Sequence, residues 1–306
     1  MITYIVRRVL IGIPTLWGVA TVVFIMARLL PGDPARVIAG ILATPQDVDR
    51  IRHNLGLDQP VWVQYVDFMG RLLRLDLGTS AHTNAPVAVE IGSRLPYTVE
   101  LAVVALVIAV TAGILAGVVA AIRRNTMLDL VISGLSVFGV SMPVYWLGLM
   151  MIILFSIELR VFPAAGADEP TSLVMPAITL ALFSVGLIAR MTRSSMLEVL
   201  GQDYVRTARA KGAPLRSIIF RHALRNALLP VITVIGLQFG ALLGGAVVTE
   251  TVFAWPGVGR LLVDSIFFRD YAVVQGLVLM FGGTFVVINL LTDILYAYVD
   301  PRIHYS

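Results

Sequence analysis

Six basic side chains stand within one stretch, Asp203–Pro230, which reads DYVRTARAKGAPLRSIIFRHALRNALLP. They are Arg206, Arg209, Lys211, Arg216, Arg221 and Arg225, set against a single acid, Asp203. Their chemistry is electrostatic: guanidinium and ammonium groups pair with carboxylates or phosphates. The parts of a catalytic centre are missing around them. No glycine-rich loop ends in Lys-Ser or Lys-Thr, which excludes an ATP site of the Walker type. The chain has no cysteine, which excludes disulfides and thiolate metal centres. Its four histidines, His53, His82, His222 and His304, lie outside the apolar runs, and no two have metal-ligand spacing within a helix. No catalytic residue, metal or cofactor is expected, and the chain is not expected to be an enzyme.

The elements that must position these charges are legible. Two helical patterns flank Gly212, a residue suited to the left-handed turn that ends a helix. Pro214 falls near the first position of the next helix, where its missing N–H costs nothing. Ala208 and Ala210 would let another backbone approach, Tyr204 offers an aromatic anchor, and Arg206, Arg209 and Lys211 can meet an acidic rim. On the residues alone two readings stay open. The segment either docks a soluble partner or lies as an amphipathic helix on anionic lipid headgroups.

Composition supplies the setting. The 306 residues are 58% hydrophobic and 14% charged, where a soluble domain carries about 25% charged residues. The net charge of +4 then reads as the positive-inside bias of a membrane protein, with no nucleic-acid partner. A bilayer core needs about 20 apolar residues in a helix. Six uncharged runs qualify: Val9–Ala27, Leu101–Ile122, Leu130–Ile157, Pro170–Ala189, Asn226–Thr249 and Tyr271–Thr292. Pro143 predicts a tilted or kinked third span, and Pro170 with Pro176 predicts that the fourth becomes regular one turn late. Arg7 and Arg8 before the first run also suit a secretory signal. The run is longer than a signal core and passes into Arg28-Leu-Leu-Pro-Gly-Asp-Pro34 without a small-residue cleavage site, so a retained helix is expected.

Basic residues set the orientation. With the N-terminus inside, the short cytosolic segments hold thirteen and the two short outer loops only Arg160, Arg260 and Arg269. Both termini are therefore expected in the cytoplasm. Residues 31–96 form a long outer segment in which six arginines nearly balance seven acids. Asp47–Leu57 and Val61–Leu75 within it show helical periodicity. The expected organisation is residues 1–30 as a first membrane helix, 31–96 as an extracytoplasmic helical segment, and 97–306 as a five-helix core with a cytosolic loop at 195–228. Ionisable residues at span edges are Arg28, Glu100, Arg190, Glu250 and Asp293. Glu100 and Glu250 are the candidates for an outer mouth or pathway. Gly113-Ile-Leu-Ala-Gly117 has the small-xxx-small spacing of a close helix crossing.

From end to end the chain resembles the inner-membrane permease subunits of ABC importers for peptides, nickel and related solutes. The likeness is greatest to the first permease of glutathione and dipeptide systems. It rests on Leu30-Pro-Gly-Asp-Pro34, Leu55-Gly-Leu-Asp-Gln-Pro60, Asp76-Leu-Gly78, Phe162-Pro-Ala-Ala-Gly166, Pro176-Ala-Ile-Thr-Leu180, Trp255-Pro-Gly-Val-Gly-Arg-Leu261 and Arg269-Asp-Tyr271. The cytosolic segment is similar to the family's coupling motif, with Ala208-Arg209-Ala210-Lys211-Gly212 in the core and Leu229-Pro230 beyond it. The literal Glu-Ala-Ala is replaced by Ala208-Arg209-Ala210, as in the peptide branch. The resemblance implies an all-α inner-membrane subunit with six transmembrane helices, an extracytoplasmic helical segment between helices 1 and 2, and a cytosolic coupling helix between helices 4 and 5. Its implied partners are a homologous second permease, two cytosolic ATPase subunits, an extracytoplasmic solute-binding protein and membrane lipid. Tyr204, Arg206, Ala208, Arg209, Ala210, Lys211 and Gly212 are implied to dock the ATPase. The implied solute is a short peptide or glutathione, with nickel complexes or another small solute as the alternative. A secondary transporter or an intramembrane enzyme fits less well, since neither midplane charges nor a catalytic set is present.

Overall fold

The computed structural model describes residues 2–29, 34–40, 43–54 and 56–299. Among them every regular element is helical, apart from an isolated bridge between Thr79 and Pro86. In chain order the helices are α1 (Ile2–Leu29), α2 (Pro34–Ala39), α3 (Pro45–Asn54), α4 (Val61–Leu73), α5 (Val87–Ile122), α6 (Met127–Ser141) and α7 (Val144–Met151). They continue as α8 (Val174–Leu200), α9 (Asp203–Ala210), α10 (Leu215–Ser217), α11 (Arg225–Val252), α12 (Val258–Phe267) and α13 (Tyr271–Val299). π-helical turns extend α7 through Glu158 and join α10 to α11 over Ile218–Leu224. Leu30–Asp33, Leu55 and the C-terminal segment with Arg302 lie outside the described residues.

Four stretches are long and apolar enough to cross a bilayer: Val87–Ile122, Pro170–Leu200, Leu215–Gln238 and Tyr271–Leu290. Met127–Ser141 with Val144–Glu158 makes a fifth if that bent pair is one span. The described apolar part of α1, Leu10–Met26, falls short of the same length. The chain is thus a multi-pass membrane protein with four or five spans among its described residues, where the sequence predicts six. The third run is not one kinked helix: α6 and α7 meet at 107°. Met142 precedes Pro143 and is driven out of the helical region to φ −79, ψ 132, because the proline ring collides with a preceding helical residue. The fourth run behaves as expected, with a 3-10 turn at Pro170–Leu173 before the regular α8.

The chain forms two compact units, Met1–Tyr97 with Pro256–Leu290, and Thr98–Trp255 with Leu291–Ser306. In the second unit α8 is the central helix, and glycines let its neighbours reach it. A Cβ on Gly113 of α5 would sit 2.8 Å from Ile188, and one on Gly117 would sit 2.5 Å from Thr192. On the α6 side, a Cβ on Gly186 would come within 2.4 Å of the Ser136 carbonyl oxygen. The Gly113–Gly117 spacing therefore marks a real close crossing. Small side chains carry the same geometry through the core, where Ala105, Ala109, Ala177, Ala181 and Ala246 are buried with Leu101, Ile188 and Trp255. Large apolar side chains such as Val107, Leu115, Leu135 and Leu237 point outward, as a hydrocarbon solvent allows.

The first unit is built on Val87, Ile91, Val258, Leu261, Val273 and Leu277. Asp270 is buried and begins α13, accepting from the backbone N–H of Val273 at 3.3 Å. Its other oxygen accepts from the Ser80 hydroxyl at 2.5 Å and the His82 N–H at 3.2 Å. One carboxylate thus satisfies a helix terminus and holds the loop after α4. α3 starts two residues before its expected bound because Thr44 and Asp47 cap it reciprocally. The Thr44 N–H donates to the Asp47 carboxylate at 3.2 Å and the Asp47 N–H to the Thr44 hydroxyl at 3.3 Å, with Pro45 at the first helical position.

Candidate coupling site

The basic segment folds as a short helix, a reversal and a second helix. Gln202 enters in an extended conformation, and the Thr207 hydroxyl donates to the Asp203 carbonyl at 2.9 Å. Val205 is the buried anchor of α9. Lys211 closes the helix and Gly212 follows at φ +77. The Gly212 N–H then donates to the Arg209 carbonyl at 3.0 Å and the Ala213 N–H to the Ala208 carbonyl at 3.1 Å. These two bonds are the Schellman closure, which satisfies the last carbonyls of the helix and needs a left-handed residue at the glycine. The expected positive φ at Gly212 is present. Pro214 sits one position earlier than expected, as the residue capping α10 at φ −65, ψ 145.

The reversal aims the charges outward. Arg206, Arg209, Ala210, Lys211 and Gly212 are exposed, while Ala208 is half-buried. Arg206 lies 3.5 Å from Asp203, and both side chains are largely in solvent, so the pair contributes little. Tyr204 has an internal task as well as an exposed ring. Its hydroxyl accepts from the Asn226 side chain at 2.8 Å and approaches the His222 carbonyl at 3.4 Å. This tie fastens α9 to the start of α11. Beneath lies an apolar cluster of Val118, Ala121, Met196, Ile219, Ala223 and Ala227, so the basic surface rests on packed helix ends.

One ion pair near this site escapes sequence reasoning. Arg193 of α8 grips Asp129 of α6 with both prongs, Nε to Oδ1 at 2.6 Å and an Nη to Oδ2 at 2.8 Å. The Asp129 side chain is only 6% exposed, and the Asn125 N–H and Ser133 hydroxyl also reach it, at 3.0 and 3.4 Å. Arg193 lies two turns before the end of the helix that leads into α9. Sixty-four positions separate the partners, so no local spacing could announce the pair. Gln238 and Ser184 are a second such case, a buried hydrogen bond of 2.8 Å between α11 and α8.

Glu250 and Glu100 are not brought together. Glu250 is fully buried and accepts from the Thr98 hydroxyl at 2.6 Å, whereas Glu100 is exposed. Thr98 and Glu100 are two positions apart on α5, on different sides of a helix. The stretch after Glu250 turns back on itself, with the Trp255 N–H donating to the Glu250 carbonyl at 2.8 Å. Among the described residues no group of three His, Cys, Asp or Glu side chains could hold a metal ion.

Comparison with known proteins agrees with this architecture. The inner membrane component of binding-protein-dependent transport systems matches residues 113–305, and the N-terminal component of such membrane proteins matches residues 1–102. A dipeptide transport system permease protein of Alkalihalophilus pseudofirmus is 44% identical over 333 residues, covering all of both chains. A glutathione transport system permease protein of Escherichia coli O6:H1 is 45% identical over 306 residues, again covering all of both. Among solved structures, an inward-facing conformation of the MetNI methionine ABC transporter superposes with a TM-score of 0.58 at 21% identity. That match spans 69% of this chain and 96% of the other, and it bears on the fold alone. A packed multi-span helical core, an exposed basic helical reversal and full-length identity near one half converge on one assignment: the chain belongs to the inner membrane components of binding-protein-dependent transport systems.

Proposed function

We propose that the chain is the permease subunit of an ATP-driven importer of short peptides or glutathione, and that α9 is the element through which separate ATPases move it. The observation that carries this reading is the exposed basic helix closed by Gly212 at φ +77, set in a chain alike over its whole length to dipeptide and glutathione permeases. Hydrolysis is assigned to two cytosolic ATPase subunits, because this chain offers no phosphate-binding loop. A second, homologous permease completes the pathway, and an extracytoplasmic solute-binding protein delivers the solute. Six spans, both termini in the cytoplasm and an extracytoplasmic segment at 31–96 complete the topology. Single cysteines, unambiguous in a chain that has none, test it: Thr83→Cys and Glu169→Cys should react with an impermeant thiol reagent from outside, and Gln202→Cys only in opened cells.

Mechanically, closure of the ATPases would push on Arg206, Arg209, Ala210 and Lys211 while Val205 and the Tyr204–Asn226 bond pass the displacement to the helix ends. Glu250 is too buried to meet solute in this conformation, so Glu100 is the better outer-mouth residue of the two. Gly212→Val would place a β-carbon where the left-handed conformation costs roughly 1–2 kcal/mol and would rotate the second half of the reversal. Gly212→Val, Ala208→Glu and Arg209→Glu should each lower uptake and solute-stimulated ATP hydrolysis, with ligand capture by the binding protein unchanged. Arg124→Glu, a charge outside the segment, should have a smaller effect. Normal uptake by Gly212→Val and Ala208→Glu at normal protein levels would refute the coupling assignment and favour the lipid-surface reading.

A further inference from the structure

The first unit contains a cavity of about 380 Å³, lined from α1, α2, α4 with the loops on either side of it, Arg269 and α13. That size is within the range of small-ligand sites, roughly 300–1,000 Å³. Its charged walls are Arg28, Arg71, Arg269, Asp67 and Asp76. Arg71 is engaged with Asp76 at 3.0 Å. Arg28 lies 3.5 Å from the centroid of the Phe24 ring and donates to the Gln64 side chain. Among the described residues neither Arg28, Arg269 nor Asp67 has a salt-bridge partner. Arg269 sits at φ +57, ending α12 with its N–H on the Ile266 carbonyl and the Asp270 N–H on the Ser265 carbonyl. Glycine fills such a position at least cost; here an arginine does, and it reaches the cavity wall.

α4 has two faces. Val63, Gln64, Asp67, Phe68, Arg71 and Leu72 line the cavity. On the opposite side Trp62, Val66 and Leu73 are 70%, 63% and 88% exposed, at helical spacing that gathers them into one stripe. An exposed apolar stripe containing tryptophan, beside helices made for lipid, is the signature of a helix lying in the membrane interface.

We propose that this cavity binds the headgroup of a membrane phospholipid carrying a primary amine, with α4 lying at the lipid boundary beside it. The phosphodiester is held by the guanidiniums of Arg28 and Arg269, and the ammonium is held by the Asp67 carboxylate. One headgroup thus answers both the two cations and the anion that lack a salt-bridge partner among the described residues. The acyl chains leave along the apolar surface that α4 and the adjoining spans present. With residues 31–96 outside, as proposed above, the lipid belongs to the outer leaflet.

The test uses the purified transporter complex, exchanged into phosphatidylcholine nanodiscs doped with phosphatidylethanolamine or phosphatidylglycerol, with retained lipid read by native mass spectrometry. Both faces of a nanodisc are open and neither solute nor ATP is needed, so the outcome is independent of the transport reading. Wild type should retain phosphatidylethanolamine in preference to the other two lipids. Arg28→Gln with Arg269→Gln should lower retention by at least about tenfold, the scale of a single charge-assisted hydrogen bond, since each change removes one. Asp67→Asn should abolish the preference over phosphatidylglycerol without abolishing lipid binding. Arg28→Lys with Arg269→Lys, which keeps the charge, should restore part of the retention, and Arg74→Gln should change nothing. A fluorophore on Trp62→Cys should be quenched by lipid-borne nitroxide. Unchanged retention in the double glutamine variant would overturn the proposal. So would arginine-dependent binding of inorganic phosphate that displaces the lipid, or shielding of Trp62→Cys by the solute-binding protein in place of lipid.

Discussion

Replacing Gly117 by alanine tests the packing of α5 against α8, on which the second unit depends. The new Cβ would lie 2.5 Å from the Thr192 Cβ, 2.6 Å from the Ala189 carbonyl oxygen and 3.0 Å from the Arg193 backbone nitrogen. Carbon atoms in good contact sit about 3.5–4.0 Å apart, so the helices must part by about an ångström there. Two of the three obstacles are backbone atoms and the third is a Cβ fixed by its own backbone, so none can rotate away. Overpacking of this kind costs about 1–3 kcal/mol, offset by about 0.5–1 kcal/mol because alanine suits a helix better than glycine. The net destabilisation is on the order of 1–2 kcal/mol. At Gly134 of α6 nothing lies within 4 Å of the added atom, and only the favourable part remains. Gly113→Ala should fall between them: its Cβ would meet the Ile188 Cβ and Cγ2 at 2.8 Å and the Val185 carbonyl oxygen at 3.2 Å, less crowded than at Gly117 by a few tenths of an ångström. Thermal midpoints of the purified protein, read by loss of the monodisperse peak in detergent, should rank Gly134→Ala at or above wild type, then Gly113→Ala, then Gly117→Ala. A Gly117→Ala midpoint equal to that of Gly134→Ala would refute the close crossing.

Three further outcomes follow from particular contacts. Arg193→Leu should destabilise more than Asp129→Leu, because it strands a carboxylate 6% exposed whereas the guanidinium left by the other change is 30% exposed; the double variant should recover stability relative to Arg193→Leu, and equal midpoints for the two singles would contradict this. Asp270→Ala should cost about 1 kcal/mol as a lost helix cap and increase hydrogen exchange at residues 80–83, with Asp270→Asn milder; unchanged exchange there would show that Asp270 does not hold the loop. The Gly78 N–H and then Arg71 hold the Asp76 carboxyl below its ordinary value of 3.8, and the Thr44 hydroxyl and N–H do the same for Asp47. Such depressed groups stabilise the folded segment above that value and cease to do so as pH falls through their lowered pKa. Protease resistance of residues 43–86 should therefore hold from pH 8 to 5 and decline only below about pH 4; a loss centred near pH 6 would point to a different group.

Much of this protein is written in local sequence. Apolar length alone identifies membrane helices, because a bilayer leaves the backbone no partner but itself. The helical reversal was equally legible: Gly212 and Pro214 are punctuation whose meaning depends on their own backbone chemistry and hardly on the rest of the chain. The glycine pair at 113 and 117 signalled a crossing without naming its partner. Tertiary structure decided what local chemistry could not. The proline at 143 announced a distortion, yet only the packed chain turned it into a break of 107°. Arg193 with Asp129, Gln238 with Ser184 and Asp270 with Ser80 each join residues far apart in sequence, so no periodicity could pair them. The same holds for Glu250, whose charge at a span edge suggested a mouth while its place beneath Thr98 buried it. A residue's conformation is set largely by its neighbours in the chain, but its burial and its partner are set by whichever helix comes to lie across it.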